Sequence, residues 1–200
     1  DRTVEAIEQR RRFEAMISDL SGNNGRIGPP GFDTSIVLGG GLEDMSHRVE
    51  GYRRRDCYRL LRNYVFGEPD GRVCILYGLR RTGKTTMLCQ LMQDMSMEDL
   101  SRTAYMKIRV SDTMASVNRD MRRLHDLGIR TVLVDEATLM RDFIDSAALF
   151  SDVYAAMGMR VVMSGTDSLG FRLAMDQELY DRAIAIPTTY IPFKEHSRLL

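Results

Sequence analysis

Gly78-Leu79-Arg80-Arg81-Thr82-Gly83-Lys84-Thr85 fits the spacing GxxxxGK[ST] at every fixed position. Glycines at both ends let backbone N–H groups turn inward onto an anion, because a side chain there would block the approach. A helix starting directly after Gly83 adds the partial positive charge of its N-terminus. Lys84 then offers an ammonium to β- and γ-phosphates, and Thr85 a hydroxyl to Mg²⁺. The implied ligand is a nucleoside triphosphate, held by Gly78, Thr82, Gly83, Lys84, Thr85 and the adjoining Thr86. Arg80 and Arg81 are candidates for contact with nucleotide or a neighbouring subunit, and equally for simple solvation. Lysine occurs only at Lys84, Lys107 and Lys194, so one of three sits where this chemistry needs it.

A second acidic motif follows. Thr131-Val132-Leu133-Val134-Asp135-Glu136 is an apolar strand ending in two acids, with Asp135 fifty positions after Thr85. At the C-terminal edge of a sheet, Asp135 is placed for the Mg²⁺ shell. Glu136 is placed to take a proton from an attacking water. The pair favours ATP over GTP, since no NKxD-type base reader is present. Asp167-Ser168-Leu169-Gly170 spells DxxG, but with two fixed positions, and it follows the wrong strand. The strand Arg160–Ser164 runs into Gly165-Thr166-Asp167, so Ser164 or Thr166 can report on a γ-phosphate. The alternative is an N-cap at Thr166, Asp167 or Ser168.

Positioning these groups requires strands alternating with helices. Apolar runs predict strands at Val73–Tyr77, Ala104–Val110, Thr131–Val134, Arg160–Ser164 and Ala183–Ile186. Helical periodicity predicts Tyr52–Phe66, Thr85–Met97, a helix from Met114 to a stop at Gly128, Phe143–Met157 and Ser168–Glu178. The pattern is that of an α/β protein with a parallel sheet covered on both faces. Residues 3–20 suit a modestly amphipathic helix. Ser21–Gly41, with seven glycines and two prolines, reads as loop or linker. The expected organisation is an extension over 1–50, a nucleotide-binding core over 51–191, and 192–200 as the start of a lid.

Lys+Arg and Asp+Glu both number 28, so no global field points to nucleic acid or an anionic membrane. A local basic patch for nucleic acid stays open. Arg10–Arg12 and Arg53–Arg55 have acids close by and read as solvated helix faces. Three cysteines without a CxxC pair suggest neither a disulfide framework nor zinc, and fit a cytoplasmic protein. No apolar run approaches the roughly 18 residues of a membrane helix. The three histidines have no metal spacing, and the fourteen methionines read as core filling. Starting at Asp1 and stopping at Leu199-Leu200, the chain reads as a piece of a longer protein.

Over about residues 50–195 the chain resembles AAA+-related P-loop ATPases, in particular poorly characterised bacterial and archaeal ones. The likeness rests on Gly78–Thr85, Val132–Glu136, Val162–Asp167 and Leu179-Tyr180-Asp181-Arg182. The resemblance implies a three-layer sandwich with five parallel strands in the order 5-1-4-3-2, ATP specificity, and ring or switch behaviour with homo-oligomers. Lys84, Thr85, Asp135 and Glu136 match the family motif position for position. Arg182 matches an arginine that commonly follows the sensor strand and stabilises charge; Arg172 is the other candidate, acting within the chain or across to a neighbour. The helix near Arg53-Arg54-Arg55-Asp56 resembles the segment bordering the adenine. Ile191-Pro192-Phe193-Lys194-Glu195 looks like the start of a helical lid, which is then truncated. The leading expectation is an ATPase whose Mg-ATP cycle drives a conformational change in a larger protein. The rivals are a nucleotide-gated binding module with negligible turnover, and a small-molecule kinase, for which no acceptor motif is evident.

Overall fold

Within Val73–Gly78, side chains of one parity (Val73, Ile75) enter one apolar layer and those of the other (Cys74, Leu76) a second, and all four are fully buried. That is the near-continuous apolar run of a strand covered on both faces. The computed structural model describes residues 31–140, 143–166, 179 and 181–190. In chain order these form β1 (Ser35–Val37), α1 (Gly40–His47), α2 (Tyr58–Phe66), β2 (Val73–Gly78), α3 (Lys84–Asp94), α4 (Met97–Ser101), β3 (Thr103–Lys107), α5 (Met114–Asp126), β4 (Thr131–Asp135), a 3₁₀ turn (Ala137–Leu139), α6 (Phe143–Leu149) running into a π-helical turn (Phe150–Ala155), β5 (Arg160–Gly165) and β6 (Ala183–Thr188).

The sheet order is β1-β3-β4-β5-β2-β6. The five strands from β2 to β6 are parallel, and numbered among themselves they give 5-1-4-3-2, as the resemblance implied. The sixth strand is a correction. Ser35–Val37 lies in the stretch read as loop, yet it pairs antiparallel with β3, Val37 opposite Tyr105 and Ser35 opposite Lys107. Gly40 and Gly41, also in that stretch, begin α1. Glycine content hid both elements, because tertiary pairing and burial of Ile36 and Leu42 override a weak local preference.

Asp120 of α5 fixes that edge. Its carboxylate, buried to 2% exposure, accepts from Thr34 N at 2.7 Å, Thr34 Oγ1 at 2.7 Å and Asp33 N at 3.1 Å. Other predicted boundaries shift by a few residues. Helix Thr85–Met97 stops at Asp94 because Ser96 forms a capping box with Asp99 and opens α4. The run Phe143–Met157 is α-helical only to Leu149, after which the π turn keeps both Phe150 and Tyr154 fully buried. The expected helices at 3–20 and Ser168–Glu178, and the lid start at Ile191, lie outside the described residues.

Helices α1, α2 and α3 cover one sheet face, while α5, α6 and the π turn cover the other. Every parallel strand therefore ends at one common edge, where β2 departs toward α3. Replacing Asp120 by alanine strands three donors at the β1 edge, and we expect a loss of about 3 kcal/mol. Urea unfolding reads this as a lower midpoint with an unchanged slope.

Candidate nucleotide site

The end of β2 fixes the loop. Gly78 has φ +154°, and a Cβ there would overlap the carbonyl and hydroxyl oxygens of Thr188 at the end of β6. Only glycine lets the two strand ends approach so closely. Gly83, at φ +86°, turns the chain into α3, and Arg81 between them also has positive φ, at 64°. A left-handed non-glycine residue costs about 1–2 kcal/mol, so the loop is held by its surroundings. The Thr82 and Thr188 hydroxyls lie 2.8 Å apart, with Leu79 O 2.8 Å from the first and Tyr77 O 3.0 Å from the second. Arg55 reaches in from before α2, donating to Thr82 O at 2.8 Å and Thr189 O at 3.1 Å.

Lys84, 8% exposed, donates from Nζ to Gly78 O at 2.8 Å and Leu79 O at 2.6 Å. Its ammonium thus lies inside the loop, on carbonyls. Thr85, in the next position of α3, donates from Oγ1 to Asp135 Oδ2 at 2.8 Å. Asp135 is 2% exposed at the end of β4. Its Oδ2 also receives the Tyr105 hydroxyl at 2.7 Å; its Oδ1 receives the Ser164 hydroxyl and Glu136 N, the latter at 3.1 Å. Burial, and then the charge of Asp135, push the Tyr105 phenol far above its usual range, so it stays a donor. The Cys89 thiol rises for the same two reasons in that order.

Glu136 follows in a left-handed conformation, φ 56° and ψ 34°, its N–H shared between Asp135 Oδ1 and Ser164 Oγ at 3.2 Å. Strain of this kind is kept where the surroundings over-determine it, commonly at functional sites. It lifts the half-buried Glu136 out of line with the strand.

The sequence-predicted residues thus meet at one edge, with differences. Thr82 braces the loop. Ser164 reaches the site by way of Asp135, to which its hydroxyl donates. Thr166 faces Thr138 on the 3₁₀ turn, its N–H 3.3 Å from Thr138 Oγ1. Arg80 and Arg81 are exposed, and Thr86 is half-buried on the first turn of α3. Arg182 lies away from the loop. It precedes β6, its carbonyl accepts from Val73 N, and its guanidinium pairs with Asp152 at 2.7 Å. That is the opposite end of the sheet from Thr188, roughly 20 Å along the strand, so Arg182 cannot serve the loop of its own chain. Arg172 lies outside the described residues. Sequence reasoning missed Thr188, Thr138 and Tyr105; a strand-end threonine and a strand tyrosine carry no local signal.

The Arg53–Arg55 run leads into a cleft of about 710 Å³ beside α2, lined by Arg54, Arg59, Arg62 and Asp94 among others. Arg54 and Arg62 both pair with Asp94 there and cover the rings of Tyr58 and Phe66. These basic residues are tied into the fold.

A hydroxyl and a carboxylate oxygen are the hard donors Mg²⁺ prefers. Among the described residues no cluster of three or more His, Cys, Asp or Glu could hold a metal. An ion held at Thr85 and Asp135 would complete its shell with phosphate and water, the usual manner of Mg²⁺.

Residues 70–196 match the model of the AAA domain family. The chain belongs to that family. As an AAA domain it is a nucleotide-binding module, and its loop, acidic strand end and five parallel strands all fall within the matched span. No curated protein matches the chain. Among solved structures it is similar to PCH-2 of C. elegans, at 16% identity and a TM-score of 0.44, over 74% of this chain and 42% of that one. The chain spans about two fifths of that protein, and a likeness at this level bears on neither activity nor partners.

Two glycine substitutions separate crowding from backbone strain in this AAA domain. Gly83→Ala, with open space around the new Cβ, is expected to cost about 1–2 kcal/mol through φ alone. Gly78→Ala is expected to cost about 3 kcal/mol or more, since backbone must move. Chemical denaturation of the two variants side by side measures the difference.

Proposed function

We propose that this AAA domain binds Mg-ATP at Gly78–Thr85 and hydrolyses it, and that turnover drives a conformational change in a larger protein. The observation carrying the proposal is the 2.8 Å bond from Thr85 Oγ1 to Asp135 Oδ2, with Glu136 next in the chain. It brings the hydroxyl after the lysine and the acid of the distant strand into one oxygen site, which neither motif alone requires.

The chemistry follows from these positions. Lys84 exchanges two carbonyl partners for β- and γ-phosphate oxygens, a charge-assisted bond stronger than the one it leaves. Backbone N–H groups of the loop and the start of α3 hold the remaining phosphate charge. Thr85 and Asp135 would hold Mg²⁺, which would supply positive charge against the phosphates. Glu136 takes a proton from water as its oxygen attacks the γ-phosphorus; the β–γ bridging bond breaks, leaving ADP and inorganic phosphate. Residues 51–191 would carry this activity, with β1 and α1 buttressing the edge. Nothing in the 28 to 28 charge balance favours nucleic acid as partner. Among the described residues no helix is long and apolar enough to cross a membrane. We place the domain in the cytoplasm, where the free Cys57, Cys74 and Cys89 suit reducing conditions.

A second reading has a specific observation behind it. Arg182 at the far edge of the sheet could act as a transition-state arginine only toward a neighbouring copy. Such an arginine is worth roughly 10³–10⁵-fold in related classes. The isolated chain would then hold ATP and turn it over slowly, as a nucleotide-gated module does.

Phosphate release and fluorescent-ATP binding, measured together, test the proposal. Glu136→Gln should bind Mg-ATP as the parent does and release phosphate about 100-fold more slowly. Lys84→Ala should lose most of its binding. Parental turnover by Glu136→Gln would remove the base role, and a parent that binds no ATP would end the proposal altogether.

A further inference from the structure

Tyr105 is a buried hydroxyl that neither motif accounts for. It stands on β3, two register positions before Lys107, which pairs with Asp135. Its ring is 5% exposed and packs in the layer shared by Leu42, Leu88 and Leu133. For that packing, phenylalanine has nearly the same volume and needs no partner. The hydroxyl instead runs along the strand to Asp135 Oδ2 at 2.7 Å.

The four donors around Asp135 divide evenly. Oδ1 takes Ser164 and Glu136 N; Oδ2 takes Thr85 and Tyr105. Three of the four come from groups bordering the phosphate side: the start of α3, the strained Glu136 and the end of β5. Tyr105 alone approaches from the next strand, β3, away from the loop. A carboxylate rotates about its Cβ–Cγ bond unless both oxygens are held. Without Tyr105, Oδ2 rests only on Thr85, the residue whose oxygen must also serve the metal.

The edge of the sheet is built to keep Tyr105 in place. Val37 of β1 sits directly opposite it in the antiparallel register, and Leu42 of α1 joins the same apolar layer. Without β1, β3 would be the sheet's edge strand. The glycine-rich extension thus contributes cover for this residue.

We propose that Tyr105 is a positioning residue for Mg²⁺. Its hydroxyl pins Asp135 Oδ2 so that the carboxylate presents a fixed acceptor to Thr85 and to the ion's shell. The inference rests on the Mg-ATP reading and specifies which residue outside both motifs sets its metal dependence.

Binding of fluorescent ATP is titrated with Mg²⁺ in the parent and in Tyr105→Phe, with affinity in EDTA and thermal unfolding without nucleotide measured alongside. The expected result is a folded variant with parental affinity in EDTA, whose half-saturating Mg²⁺ is raised about ten-fold, the effect typical of losing an outer-shell partner. An unchanged Mg²⁺ midpoint overturns the proposal. So does a variant that unfolds without nucleotide, which would assign the hydroxyl to stability instead. A parent that binds no ATP with or without Mg²⁺ shows up separately, as the failure of the nucleotide reading itself.

Discussion

Asp135 puts a carboxylate at a position with 2% exposure, and much of the site is explained by what that group requires. An ion removed from water loses several kcal/mol of solvation unless nearby groups replace it. Here four donors do so, drawn from α3, β3, β5 and the residue that follows β4. The carboxylate can gather them only because parallel strands end together at one edge. The turn from β2 into α3 then brings Thr85 to the same point.

The loop before α3 is constrained in a complementary way. Gly78 and Thr188 bring two strand ends closer than any side chain would allow, and Arg55 ties the far side of the loop to residue 189. Such bracing lets Arg81 stay in a left-handed conformation and leaves the inside of the loop to the Lys84 ammonium. Two backbone carbonyls offer this cation the partial negative charge of their dipoles. A phosphate would offer full negative charge, which is the physical reason we expect binding to reorganise this lysine.

The parallel sheet, the loop and the acidic strand end were legible because each has a local signature: buried apolar runs, two obligatory glycines with a lysine, and acids directly after an apolar strand. Ser35–Val37 was not, since three residues flanked by glycine and proline become a strand only through Asp120 and β3. Tyr105 was hidden by its own strand, where an aromatic residue reads as packing. The position of Arg182 relative to the loop was not legible for a related reason. Its motif follows the strand before it in sequence, but the chain has crossed to the N-terminal end of the sheet by that point, and only the pairing of Val73 with Ala183 reveals this.

The most direct measurement is a structure of the domain with Mg²⁺ and a non-hydrolysable ATP analogue. The account predicts that Lys84 Nζ leaves Gly78 O and Leu79 O for the β- and γ-phosphates, while Gly78 stays packed on Thr188 and the ion sits between Thr85 and Asp135. A Lys84 still on those two carbonyls, with the analogue bound elsewhere or not at all, would contradict it.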